Sequence, residues 1–214
     1  MTEPEITLTV GPGTGRMLCQ VVLTRADFAT LCNLHGLLGT AVEVGVHRGE
    51  FAAGFLELWR GLRYIGVDPW RVLPAYSERL DHSESTSQDA READYAAARR
   101  AIAPYAGRAE LLRATSEEAA GALPDALHFV YIDAAHDLAS VRHDIALWWP
   151  KVRPGGILAG HDYANPWAPA VTVAVDEFAQ AAGLTVWLAG IQEQPPRSLA
   201  ATQEDLPSWY LWRP

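Results

Sequence analysis

The sequence predicts an α/β fold, a doubly wound and mostly parallel sheet with helices on both faces. Three observations carry that expectation. Short apolar runs rich in β-branched residues recur along the chain, and segments with apolar residues at helical spacing alternate with them. The runs are apolar almost throughout instead of alternating, the pattern of strands covered on both sides. Gly45, Asp68, Asp133 and Asp162 stand at the carboxyl ends of four runs, where open α/β sheets bind their ligands.

Residues 1–39 make an N-terminal segment and helix. Residues 40–46 read as a first strand, and residues 48–62 as a helix with Phe51, Phe55, Leu58 and Leu62 along one face. A second strand, 64–67, is stopped by Asp68 and Pro69. Residues 71–109 break the rhythm as a lid-like insertion. Within it, the polar stretch 77–95 is expected to close over the ligand mouth, and 89–103 reads as a helix. A third strand is expected at 110–113, with Ser116 capping a helix over 117–122. The fourth strand, 127–132, runs into Asp133. A helix over 138–149 and a turn at 154–156 lead to a fifth strand, 157–160. A helix over 170–182 precedes the last two strands, 185–188 and 209–212. Neither a repeat nor a linker divides the chain, so residues 1–214 form one domain.

Composition bounds the partners. The 214 residues are 49% hydrophobic and 20% charged, ordinary for a globular enzyme. Seventeen basic residues against 26 acidic ones give a net charge of -9, which argues against a nucleic-acid partner. Cys19 and Cys32 are too few and too far apart for a metal cluster or a disulfide framework. The acidic N-terminus has no apolar leader core, and no apolar run reaches the roughly 18 residues of a membrane span. A soluble, cytoplasmic protein without a membrane partner is expected.

The turn from Gly45 to Gly49 brings backbone close to a ligand, or serves packing alone; it lacks the G-x-G-x-x-G spacing of dinucleotide folds. Glu43 is placed to accept from an ammonium group. Asp68 is placed to hold ribose hydroxyls, or acts as a turn residue before Pro69. The run 11–16 is glycine-rich but lacks the ending of a phosphate loop. Asp133 and Asp162 converge on one sheet edge, and two carboxylates there repel unless a cation joins them. His35, His47, His82, His128 and His143 receive no role.

The ordered set Val-Glu-Val-Gly-Val-His-Arg-Gly (42–49), Tyr-Ile-Gly-Val-Asp-Pro-Trp (64–70), Val-Tyr-Ile-Asp-Ala-Ala-His-Asp (130–137) and the run from Trp148 through Gly155-Gly156 to His161-Asp162-Tyr163 resembles the class I S-adenosylmethionine-dependent methyltransferases. The resemblance continues through Val175-Asp176-Glu177-Phe178 to Ser208-Trp209-Tyr210. It implies a Rossmann-like, seven-stranded sheet with an antiparallel last strand. It also implies an S-adenosyl-L-methionine site built from Glu43, Gly45, Val46, Gly49, Asp68, Ser116 and Asp133, where Ser116 either contacts the adenine or only caps its helix; Trp70 either walls the adenine or is structural.

Within that group the sequence is most similar to metal-dependent sugar O-methyltransferases. That likeness makes Asp133 and Asp162 ligands of a divalent metal, magnesium or manganese, and His136 the general base. The alternatives are that Asp133 touches only the cofactor's methionine end and that His136 is an exposed loop residue. Where the subfamily often has two acids, His161 precedes Asp162; it is a metal ligand favouring manganese or another transition metal, a residue that orients the ligands from behind, or a residue turned away. The implied acceptor is a small-molecule hydroxyl, sugar-like, and the implied assembly is a homodimer. Two rivals stand beside this reading: a metal-independent methyltransferase of the same fold, and a non-catalytic cofactor-binding domain. Trp148, Trp149, Trp167 and Trp209 suit sugar stacking or equally a core or dimer seam.

Overall fold

A computed structural model of the chain describes residues 9–10, 17–18, 24–72, 87–189 and 206–214. Cys19, His82, the glycine-rich run 11–16 and residues 77–86 of the expected lid lie outside the described residues. In chain order the elements are β1 (Thr9–Val10), β2 (Met17–Leu18), a 3-10 turn (Arg25–Asp27), α1 (Phe28–Leu34), β3 (Thr40–Val44), α2 (Glu50–Leu58) and β4 (Arg63–Asp68). Then follow α3 (Gln88–Ile102), β5 (Ala109–Arg113), α4 (Ser116–Ala122), β6 (Leu127–Ile132), α5 (Leu138–Trp148), β7 (Val152–Gly160), α6 (Pro169–Ala182), β8 (Trp187–Ala189) and β9 (Ser208–Trp212).

The strands form one sheet in the order β1-β2-β8-β9-β7-β6-β3-β4-β5. The seven expected strands are all present, and β9 runs antiparallel between β7 and β8. The short pair β1 and β2 extends the sheet at the β8 edge. No helix among the described residues is long and apolar enough to cross a membrane.

Each central strand feeds two cores because successive side chains point to opposite faces. Val42, Val44, Val130, Ile132 and Leu158 pack under α4, α5 and α6, around Trp148 and Val175. Ala41, Phe129, Tyr131, Ile157 and Tyr210 pack on the other face with Phe28 of α1 and Phe51 and Phe55 of α2. Glu43 shares this second, aromatic face by alternation, and only 2% of its surface is exposed.

Three local expectations change. The helix read over 48–62 spans only Glu50–Leu58. Gly49, at φ +87°, delays its start, and Trp59 turns extended so that its indole N–H donates to the Leu37 carbonyl. Leu62, counted on the helix's apolar face, therefore lies beyond the helix and is exposed, and Leu58, its last residue, is exposed as well. Thr115, not Ser116, caps α4: its hydroxyl accepts from the Glu118 N–H while the Glu118 carboxylate takes the Thr115 N–H. The turn expected at 154–156 is absorbed into β7, which starts at Val152 and carries a register shift against β6. In the 71–109 insertion, residues 88–102 form the helix α3, which packs on the Gly49 turn.

Candidate active site

The register of the central strands brings the candidate residues into one row. Val44 pairs with Val67 of β4 and with Ile132 of β6, and Ile132 pairs with Gly160 of β7. The next residue of each strand is therefore Gly45, Asp68, Asp133 and His161, side by side on the carboxyl edge. Backbone bonds continue past the strand ends: Gly45 N donates to Val67 O, Asp133 N to Val44 O and His161 N to Ile132 O. The crossovers to α2, α3, α5 and α6 all leave from this edge, where ligand sites of such sheets form.

Gly45 sits at φ +90°, and a Cβ there would lie 2.0 Å from the Asp133 carbonyl oxygen. Only glycine lets β3 leave the sheet while β6 delivers Asp133 beside it. Gly49, at φ +87°, faces α3, where a Cβ would meet Ala98 and Ala101. Both glycines answer to packing. Val46 is buried between them against Trp70 and Ala98.

Asp68 is oriented by its surroundings. The His47 N–H donates to one carboxylate oxygen at 3.0 Å and the Trp70 N–H to the other at 2.8 Å. The Trp70 indole N–H in turn holds the His47 carbonyl at 2.8 Å. Trp70 is fully buried against Tyr95 and stiffens the turn as a core residue. Ser116 has its hydroxyl committed elsewhere, donating to Asp144 and accepting from the Trp148 indole at 2.8 Å.

Asp133, His136 and Asp162 come together. Their candidate ligand atoms lie within 4.8 Å of one another, two of them half-buried and Asp162 buried. His136 Nε2 is 2.8 Å from Asp162 Oδ2 and 3.8 Å from Asp133 Oδ1. The His136 side chain is half-buried, with only 23% of it exposed. His161 lies at the margin: its Nδ1 is 3.4 Å from Asp162 Oδ2 and 3.8 Å from Asp133 Oδ1, while its Nε2 is buried without a hydrogen-bond partner among the described residues. Asp162 adopts φ +59°, a left-handed conformation that aspartate tolerates better than most residues, and Asn165 Nδ2 holds its Oδ1 at 2.7 Å.

Burial and charge act against each other here. Desolvation alone pulls the His136 imidazole toward neutrality, but Asp133 and Asp162 outweigh it and hold the ring protonated well above its ordinary range. Burial likewise penalises the Asp162 carboxylate, yet His136 and His161 keep it ionised far below the usual range. Glu43 behaves oppositely: burial pushes its carboxyl up to about 8, although the Tyr64 hydroxyl donates to it.

Sequence reasoning missed Arg25. Its Nη1 lies 3.3 Å from Asp133 Oδ2, a salt bridge spanning 108 residues. The only local signal is Thr24-Arg25-Ala26-Asp27, a capping pair that announces a turn and places Arg25 in its first position. Asn165 was missed as well, because its contact with Asp162 depends on the fold of the loop after β7.

A donor set of two carboxylates and one imidazole is chemically suited to a divalent cation such as magnesium or manganese, with Arg25 on the outer oxygen of Asp133. Similar architectures occur in the O-methyltransferase NovP, at 19% identity over 88% of this chain and 77% of that one, with a TM-score of 0.59. The O-methyltransferase TomG from Streptomyces achromogenes, solved with SAM, matches at 14% identity over 89% and 79%, with a TM-score of 0.58. An O-methyltransferase from Bacillus cereus, solved with SAH, matches at 12% identity over 96% and 83%, with a TM-score of 0.58. At these identities the likeness is one of fold. No curated protein sequence matches the chain. A family model described as a methyltransferase domain matches residues 42–163, more than half of the chain and every strand end described above. The chain therefore belongs to this methyltransferase domain family.

Proposed function

We propose that the protein is an S-adenosylmethionine-dependent O-methyltransferase, assisted by a divalent metal ion, that methylates a hydroxyl of a small molecule of the sugar or glycoside type. The observation that carries the reading is the group Asp133, His136 and Asp162, which shares one sheet edge with the Gly45 turn and Asp68. The two SAM- and SAH-bound structures of this fold support the cofactor. The sugar class rests on the sequence resemblance, and Trp167, 68% exposed on the loop that Asp162 and Asn165 organise, offers an aromatic face to it.

The residues divide the work as follows. Asp68, oriented by two backbone N–H groups, is the acceptor for the ribose hydroxyls. Asp133 supplies negative charge toward the amino-acid end of the cofactor, and Glu43, its carboxyl pushed up to about 8 by burial, offers a carboxyl oxygen to the ammonium. Asp133 and Asp162, with His161 at their side, are the residues that would hold the metal, which would supply a lowered hydroxyl pKa when bound. Transfer is an in-line displacement: the acceptor oxygen bonds to the methyl carbon as the carbon–sulfur bond breaks, and the hydroxyl proton leaves to a base. His136 is that base, and it becomes an acceptor only when the field of the two carboxylates is neutralised.

A second reading has its own observation. Arg25 and a protonated His136 already neutralise Asp133 and Asp162, as a metal-independent transferase would need. Titration calorimetry of EDTA-treated protein with S-adenosylhomocysteine, then with magnesium and manganese, separates the two. Asp162→Asn is the informative variant, because asparagine tolerates the left-handed backbone. Metal heat that disappears in that variant supports the metal-assisted reading. Nucleoside binding without metal heat moves the assignment to the second reading, and no nucleoside binding rejects both.

A further inference from the structure

We propose that Arg25 anchors the carboxylate of the cofactor's amino-acid end, and that its ion pair with Asp133 is a placeholder released on loading. The proposal rests on the cofactor reading above and adds a binding residue that precedes the family-matched segment, which begins at residue 42.

The base of Arg25 is rigid. The Thr24 N–H and hydroxyl both donate to Asp27 Oδ2, at 2.8 and 3.0 Å, and close the turn. Phe28, fully buried, pins the same turn to the underside of the sheet among Phe129, Tyr131 and Tyr210, with ring centroids 5.6, 5.8 and 5.6 Å away. Ala26 packs on α2, where a Cβ at Gly54 would stand 3.2 Å from its own. A fixed backbone thus delivers a long side chain to the carboxyl edge, and 21% of that side chain remains exposed at the site.

The tip of Arg25 is exchangeable. Its 3.3 Å contact with Asp133 is long for a charge-assisted bond, which is normally about 2.7–2.9 Å. A zwitterionic amino-acid end fits between two such partners. Its ammonium replaces the guanidinium beside Asp133, its carboxylate replaces the aspartate beside Arg25, and neither partner is left as an uncompensated charge. The guanidinium fork matches a carboxylate with two parallel bonds, a geometry that lysine cannot reproduce.

The test truncates protein and ligand together. Calorimetry of the wild type, Arg25→Ala and Arg25→Lys is run with S-adenosylhomocysteine and with 5′-methylthioadenosine, which keeps the adenosine and thioether but has no amino-acid end. Loss of one charged hydrogen-bonding partner predicts S-adenosylhomocysteine affinity lower by about 10- to 100-fold in Arg25→Ala and by less in Arg25→Lys, with methylthioadenosine affinity unchanged in both. Equal losses for the two ligands would assign Arg25 a structural role and overturn the proposal, as would undiminished S-adenosylhomocysteine binding. Should the alanine variant fail to fold, Arg25→Lys carries the same comparison. Failure of the wild type to bind either nucleoside refutes the underlying cofactor reading and not this residue's role within it.

Discussion

Replacing Glu43 by glutamine tests the electrostatics of the edge through stability. The Glu43 carboxyl lies on the aromatic face of β3, and burial raises its pKa from an ordinary 4.5 to about 8, against the pull of Tyr64 and Arg25. The folded protein therefore binds this proton more tightly than the unfolded chain does. Stability due to Glu43 is fully present below pH 4.5 and is lost as the pH rises to about 8. At about 1.4 kcal/mol for each pH unit in that window, the loss amounts to about 3–5 kcal/mol. Glutamine stays neutral at every pH, and its carbonyl oxygen still accepts from the Tyr64 hydroxyl. Urea unfolding of both proteins at pH 5, 7 and 9 reads the difference, provided the m-values agree. The variant's advantage should be small at pH 5 and grow to several kcal/mol at pH 9. Parallel stability curves would refute the claim that burial, rather than a neighbouring cation, dominates at Glu43.

Four further substitutions probe other parts of the molecule. Gly45→Ala forces a methyl onto the Asp133 carbonyl at positive φ, and it should lower stability by about 2–4 kcal/mol in thermal unfolding while weakening S-adenosylhomocysteine binding. His136→Gln should reduce methyl transfer by about 10²- to 10⁴-fold, measured with saturating cofactor, and leave nucleoside affinity within a few-fold; an active variant would remove His136 as the base. Thr115→Ala, away from the chemistry, should cost about 0.5–2 kcal/mol in chemical denaturation, whereas Ser116→Ala should leave the capping contribution intact.

The sheet was legible because its strands are apolar on both faces and their order follows from the crossover pattern. Asp68 and Asp133 were legible for the same reason, since each follows such a run and register sets both on one edge, whereas Asp162 stands one residue past the row and reaches His136 through its left-handed turn. Two kinds of feature were not. Helix ends depend on backbone conformation that periodicity does not encode, so Leu62 kept the spacing of a buried face after Trp59 had left the helix. Contacts made across the chain were also hidden. The pairing of Arg25 with Asp133 needs α1 to be docked on the sheet by Phe28, and no motif spans that distance. Ser116 illustrates a third case: its residue type suits either a cap or an adenine contact, and the fold gives its hydroxyl to Asp144 and Trp148 instead.

The distribution of backbone strain points to the same edge. Among the described residues, the non-glycine positions with positive φ are His47, Trp70, Ala126, Asp162 and Ala164. His47 follows β3, Trp70 follows β4, and Asp162 and Ala164 follow β7, so four of the five lie beyond strand carboxyl ends. Only Ala126, at the start of β6, lies at the other end of the sheet. Each such residue costs about 1–2 kcal/mol, and a chain selected for stability alone would place glycine or asparagine there. What the strained turns achieve is specific. The His47 and Trp70 turns bring two N–H groups to Asp68, and the Asp162 turn sets a buried carboxylate 2.8 Å from His136. Strain, buried charge and convergent register therefore coincide at one edge, and that coincidence argues for a working site more strongly than any one of its residues does.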